Sequence, residues 1–175
     1  MDFYSDVADS YKKALAKTIA ELFSIGESFY YVSLTVDEGG ATPVFSAWSR
    51  EAYIDACEKL PADDDPLWIK WSYSDSPYFN YKEENFFSAH AAWESKGSID
   101  EFDAHEWINE LNKRLNSLVR SFSALDDEGL FGAGENRNAI VINVEIVPPT
   151  HENTIRVKRL NPQSAIKEWL DEASE

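Results

Sequence analysis

The sequence predicts a single α+β domain over residues 1–175, an antiparallel sheet of four or five strands packed with helices. Three observations carry that prediction. Segments with apolar residues every three or four positions bracket others in which apolar residues alternate, the periods of a half-buried helix and of a strand in a sheet. Turns rich in Gly, Pro and Asp separate them. The length, 175 residues, suits one core, because two would leave each half near the size where independent folding becomes marginal.

Phe3, Val7, Tyr11, Leu15, Ile19 and Leu22 mark a first helix, with Lys12, Lys13, Lys17 and Glu21 off the stripe. Gly26 ends it by tolerating a left-handed backbone. Residues 28–36 form a strand with Tyr30, Val32, Leu34 and Val36 on one face. Residues 37–43 are turn chemistry, and Val44 to Trp48 return as the second arm of a hairpin. Ser49 caps a short helix whose apolar side is Ala52, Tyr53, Ala56, Cys57 and Leu60, and Pro61 stops it. After an acidic loop, the alternation of Leu67, Ile69, Trp71 and Tyr73 predicts a third strand.

A polar-aromatic connection over 74–81 leads to a weaker helix over 82–95, carrying Phe86, Phe87, His90, Ala91 and Trp93. Gly97 breaks it, and Ser98 with Glu101 forms a capping box for the next. That helix has the cleanest pattern in the chain: Ile108, Leu111, Leu115, Leu118, Phe122 and Leu125 share one face. Glycine-rich residues 129–138 precede a strand over 139–147, predicted to be central, with Ile140, Ile142, Val144 and Ile146 toward the core. Pro148-Pro149 ends it. Residues 154–160 predict a basic edge strand on which Arg156, Lys158 and Arg159 oppose aggregation. Asn161-Pro162 then caps a terminal helix anchored by Ile166, Trp169, Leu170 and Ala173.

Two stretches in this order carry a resemblance. Leu125-Asp126-Asp127-Glu128-Gly129-Leu130-Phe131-Gly132-Ala133-Gly134-Glu135-Asn136-Arg137, running into an apolar strand, is similar to a signature of an uncharacterised bacterial family, domain of unknown function 4303. Arg159-Leu160-Asn161-Pro162, followed by a helix with Trp169-Leu170, resembles that family's closing motif. The segment from Trp71 to Tyr78 resembles its Trp-centred segment loosely and lacks the acidic-Trp pair expected there. The resemblance implies a family with no established catalytic activity, whose members look like small acidic accessory proteins, some encoded beside bacterial polymorphic toxins. That association implies an immunity protein.

Charge narrows the function classes. Sixteen basic residues against 32 acidic ones leave a net charge of −16, which repels nucleic-acid phosphates and anionic lipid and attracts a basic polypeptide. One cysteine, Cys57, makes no internal disulfide, and the first residues show no basic-then-apolar leader pattern. The expectation is a cytoplasmic chain. Gly132-Ala133-Gly134 follows a helix and precedes a strand, the reverse of a phosphate cradle. The histidines His90, His105 and His151 show no zinc-ligand spacing, and no Gly-x-Ser-x-Gly elbow is present. No cofactor or metal is predicted.

The reading is therefore a non-enzymatic acidic binding protein, an immunity protein that occludes the active site of a basic cognate toxin. Asp63, Asp64, Asp65, Asp75, Asp126, Asp127 and Glu128 are the steering charges and Tyr78 the aromatic anchor. For Tyr73, Tyr78, Phe79 and Tyr81 a binding role and a satellite core stand open. Two alternatives accompany this reading: an adaptor or scaffold that is acidic for solubility, and a hydrolase or transferase using His90, Asp103 and His105.

Overall fold

A computed structural model describes residues 2–99 and 103–174 of the chain, the side chains of residues 104 and 105 excepted. The stripe that begins at Phe3 folds as α1, Phe3–Phe23, burying Val7, Tyr11, Leu15, Ile19 and Leu22. Gly26 follows in a left-handed conformation, φ +86°. Strand β1, Phe29–Asp37, and strand β2, Val44–Ser49, make the expected hairpin. The Ser49 hydroxyl accepts from the Ala52 amide at 2.9 Å and so starts α2, Arg50–Lys59. A short α3, Leu67–Lys70, follows the acidic loop. A 3₁₀ turn, Glu83–Phe86, runs into α4, Phe87–Glu94. The long α5, Ala104–Asp127, is followed by a short α6, Glu135–Asn138. Strand β3, Val141–Val147, α7, His151–Leu160, and α8, Lys167–Glu172, complete the chain.

The fold is mixed α+β, but its sheet has three strands among the described residues, in the order β2-β1-β3, rather than four or five antiparallel ones. β1 runs antiparallel to β2 and parallel to β3: Val32 sits opposite Ala47 and Ile142, and Leu34 opposite Phe45 and Val144. The central strand is β1, and the apolar run at 141–147 lies at an edge. Its parallel direction follows from the long helical connection that separates it from β1 and permits a crossover.

Two predicted strands are helical. Residues 67–73 form α3 and a turn, in which Ile69 is buried while Leu67 and Trp68 are 49% and 54% exposed; the alternation there is not a buried face. Residues 154–160 belong to α7. Its buried residues Asn153, Thr154, Val157 and Leu160 keep a helical spacing, while Ile155 points to solvent. The capping box of Ser98 and Glu101 falls partly outside the described residues.

One face of the sheet is sealed by α1 and α5. Val32, Leu34, Val36, Phe45, Ala47, Ile142 and Val144 meet Tyr11, Leu15, Leu111, Leu115, Leu118 and Phe122 in one cluster, each such side chain contributing about 1.5–3 kcal/mol by leaving water. Ile108, expected on the buried stripe, is 41% exposed, and its neighbour Trp107 packs against the core instead. No described helix is long and apolar enough to cross a membrane.

α7 closes the outer edge of β3 through its side chains. The Asn153 amide accepts from the Ile146 N–H at 2.9 Å and donates to the Ile146 carbonyl at 3.1 Å. Asn161 does the same for Ile142, at 2.8 and 2.7 Å, and Arg156 donates to the Val144 carbonyl at 2.6 Å. Side chains thus occupy positions that a further strand would fill, and the edge is closed to pairing. The opposite edge, β2, is covered by the connection over 72–81: the Asn80 N–H donates to the Phe45 carbonyl at 2.8 Å, and the Ser76 hydroxyl donates to that of Ala47.

Candidate functional site

The second face of the sheet differs from the first. Next to an apolar group of Tyr30, Tyr31, Trp48, Val141, Ile166 and Trp169 lies a polar strip. Ser33 sits opposite Ser46 and Asn143, and Thr35 opposite Glu145. Ser33, Thr35, Ser46 and Asn143 are all buried. The Glu145 carboxylate accepts from the Tyr31 hydroxyl, from Thr35 Oγ1 at 3.4 Å and from Asn143 Nδ2 at 3.2 Å. Burial, and then the neighbouring Glu145 charge, raise the Tyr31 pKa well above its usual value, so the phenol stays a donor.

Above this strip is a cleft of about 360 Å³ between α3, the end of β3 and α8. Its walls are aromatic, Trp68, Trp71, Tyr73 and Trp169, and its polar groups include Glu145 and Glu172. Each wall has a local cause. The Asp65 carboxylate accepts from the Leu67 amide at 2.9 Å, starting the turn that presents Trp68. Trp71 packs edge-on against Tyr30 and Tyr31, with ring centroids 5.3 and 5.4 Å apart, and its indole donates to Glu172 at 2.9 Å. Trp169 on α8 is 2% exposed, and its indole N–H is directed at the Tyr31 hydroxyl.

Lys70 braces the rim, its ammonium 2.6 Å from Glu168 and 2.7 Å from Glu172 and 5.3 Å from the Trp71 ring centroid. Burial works against this cation, yet its hydrogen bonds to the two glutamates outweigh burial and raise its pKa. Burial likewise opposes the Glu172 charge, and the Lys70 and Trp71 donors override it, lowering the pKa. The segments framing the cleft, residues 61–79 and 161–174, hold seven carboxylates against two lysines, so the local field is negative.

The predicted site residues divide. Asp63, Asp64 and Asp65 are exposed on the loop that enters α3, beside the cleft. Asp75 is exposed on the next loop, its carboxylate accepting from the Ser72 hydroxyl. Asp126, Asp127 and Glu128 close α5, on the far face of the sheet; Asp126 is salt-bridged to Arg137 at 2.6 Å and Glu128 to Lys12. Tyr78 is half-buried, its ring 5.1 Å from that of Phe29 and its hydroxyl donating to Glu27 at 2.7 Å. It packs against the main core cluster.

Of the residues of the enzymatic alternative, neither His90 nor Asp103 lines the cleft. His90 Nε2 lies 3.2 Å from the Pro43 carbonyl, with its ring stacked on Phe86. Asp103 accepts from the Glu106 amide at 2.9 Å, capping α5. The His105 side chain lies outside the described residues. Among the described residues no group of three His, Cys, Asp or Glu is placed to hold a metal.

Sequence reasoning missed Trp68, Glu145 and Trp169. A signal was present: Ser33 and Thr35 in β1, and Asn143 and Glu145 in β3, put polar residues at every second position of otherwise apolar strands, the mark of a second face that is not plain core.

The two stretches that carried the family resemblance meet in space through one side chain. Arg137 donates to Asp126 at 2.6 Å, to the carbonyls of Ile140 and Leu160 at 2.7 and 3.0 Å, and to Asn161 Oδ1 at 3.1 Å. The signature after α5 and the Arg159–Pro162 motif are therefore one clamp joining α5, β3 and α7. No curated protein and no solved structure matches the chain. A family model does match, over residues 11–162, and the chain belongs to that family, described as a domain of unknown function, DUF4303.

Proposed function

We propose that this protein is a non-enzymatic binding protein of the immunity type, which neutralises a cationic bacterial toxin by docking on it and covering its active site. The observation that supports this reading most is the cleft face itself: exposed Trp68 and Leu67 stand beside the Asp63–Asp65 loop and above Glu145 and Glu172. An exposed Trp next to a partly desolvated pocket is the arrangement of an interface hot spot. Carboxylates around it steer a basic partner and raise its association rate. The Asp126–Glu128 run, on the far face and engaged with Arg137 and Lys12, adds to the long-range field rather than to the contact. An adaptor role draws on the same face but has no need of the surplus charge.

The test is co-expression with the product of the adjacent gene, which the proposal expects to be a toxin. The expected result is restored growth and a one-to-one complex whose association slows as salt rises, because exposed charges are screened over ~8 Å at physiological ionic strength. Changing Asp63, Asp64 and Asp65 together to Asn should slow association several-fold and leave dissociation nearly unchanged. Growth that stays arrested, or association indifferent to salt, would remove the proposal.

A further inference from the structure

We infer that the cleft between α3, the end of β3 and α8 seats an arginine side chain of the bound polypeptide, an inference that rests on the binding reading above. Its volume, about 360 Å³, lies at the small end of ligand pockets, which run ~300–1,000 Å³. That is room for one long side chain rather than for a helix or strand. The walls are flat π surfaces, Trp68, Trp71, Tyr73 and Trp169, with Glu145 and Glu172 between them. Aromatic faces attract cations, and carboxylates pair with them.

The molecule already holds one cation in this way: the Lys70 ammonium lies over Trp71 and between Glu168 and Glu172. That lysine fills the outer position. The remaining surface, lined by the 54% exposed Trp68 and by Glu145, suits a planar group that stacks on an indole while its edge donates to a carboxylate. Guanidinium stacks flat and donates from its edge at once, whereas an ammonium meets a ring only as a point charge. The frame of seven carboxylates and two lysines supplies the complementary charge.

The experiment titrates isotope-labelled full chain with acetyl-Gly-Arg-Gly-amide into the millimolar range and follows the indole N–H resonances. Saturable shifts are expected at Trp68, Trp71 and Trp169 and none at Trp93, which lies on the α1/α5 side of the sheet and donates to the Gly40 carbonyl. The lysine peptide should bind more weakly, and the citrulline peptide, a neutral isostere, should give no saturable shift. Trp68→Ala removes a wall residue that is 54% exposed, so it leaves the fold intact, and it should weaken binding about fivefold. Glu145→Gln, which keeps an oxygen for Tyr31, should weaken it about tenfold. Equal binding of arginine and citrulline peptides, equal binding of arginine and lysine peptides, wild-type affinity in both variants, or response to a chitin oligosaccharide in place of the peptide would each overturn the inference. Toxin neutralisation is scored separately: neutralisation without peptide binding removes the arginine seat alone, and peptide binding without neutralisation removes the immunity role alone.

Discussion

Leu34 and Thr35 are neighbours in β1, yet they point into different kinds of interior. On the Leu34 side, Phe45 and Val144 complete an apolar layer against α1 and α5. On the Thr35 side, Glu145, Ser33 and Asn143 form a polar strip under an open aromatic cleft. Both sides are buried in β1, so exposure does not separate them. Chemistry does. The first face is built as a core, with long helical stripes and few polar atoms. The second carries the strip of Ser33, Thr35, Asn143 and Glu145 across the strands themselves. An unpaired buried hydroxyl occurs on each face among the described residues, Tyr11 Oη on the first and Ser33 Oγ on the second.

The sharpest way to test this contrast is a matched pair of truncations. Phe122 is fully buried on the first face, and Phe122→Ala should destabilise the protein by about 3–5 kcal/mol through lost burial and the cavity left behind. Trp68→Ala removes an even larger ring from the second face, but from its exposed rim, and should change stability by less than about 0.5 kcal/mol. Urea unfolding of both variants measures the difference. Comparable losses would mean that the cleft is part of the core and that the two faces are built alike.

Acid tests the first face from its flank. Glu110 on α5 is 4% exposed and accepts from the Tyr4 hydroxyl at 2.6 Å, while pairing with Lys96 at 2.6 Å and Arg114 at 2.9 Å. Burial disfavours its charge, but the three donors prevail and hold the carboxyl at a pKa of about 2. Because this lies below the unfolded value of 4.5, the contribution is fully present above about pH 5 and is lost as pH falls from there toward 2. The shift corresponds to about 3 kcal/mol. Glu110→Gln should therefore be less stable than the parent at pH 7 and show a flatter stability profile between pH 5 and 2. A parallel profile would mean that the α1–α5 ion network contributes nothing.

Which parts were legible in the sequence follows the same division. α1, the β1–β2 hairpin, α2 and α5 could be read because each writes its period over many residues against the first face or carries a cap such as Ser49. Residues 67–73 and 154–160 could not. A short run of alternating apolar residues also fits a helix or turn, and only tertiary contact shows that Ile155 and Leu67 face water. The direction of β3 was hidden because strand pairing across a long connection leaves no local mark. The site was half legible. The acidic loop at 63–65 lies beside the cleft, as a surface charge run can, but Glu145 read as a residue off the core-facing side of a strand expected to be central. It faces inward because α8 and the 67–73 segment cover that side. Asp126 read as a steering charge, and its bond to Arg137, 11 residues on in the same stretch, forms only when the intervening turn folds back on the end of α5.

The finest test concerns one oxygen. Ser33 is fully buried in the middle strand, between Ser46 and Asn143, and its hydroxyl has no hydrogen-bond partner among the described residues. An unpaired buried hydroxyl forfeits its hydration without recompense. Ser33→Ala deletes that oxygen, leaving the backbone pairing of β1 in place, so stability should stay level or rise by up to about 1 kcal/mol in chemical denaturation. Ser33 does not line the cleft, so affinity for the arginine peptide should not move. A loss of more than about 1 kcal/mol would show that the hydroxyl is satisfied in solution, and the polar strip would then be a completed network instead of a retained defect. The contrast between the two faces would survive, but its cause would shift from tolerated cost to a different way of building an interior.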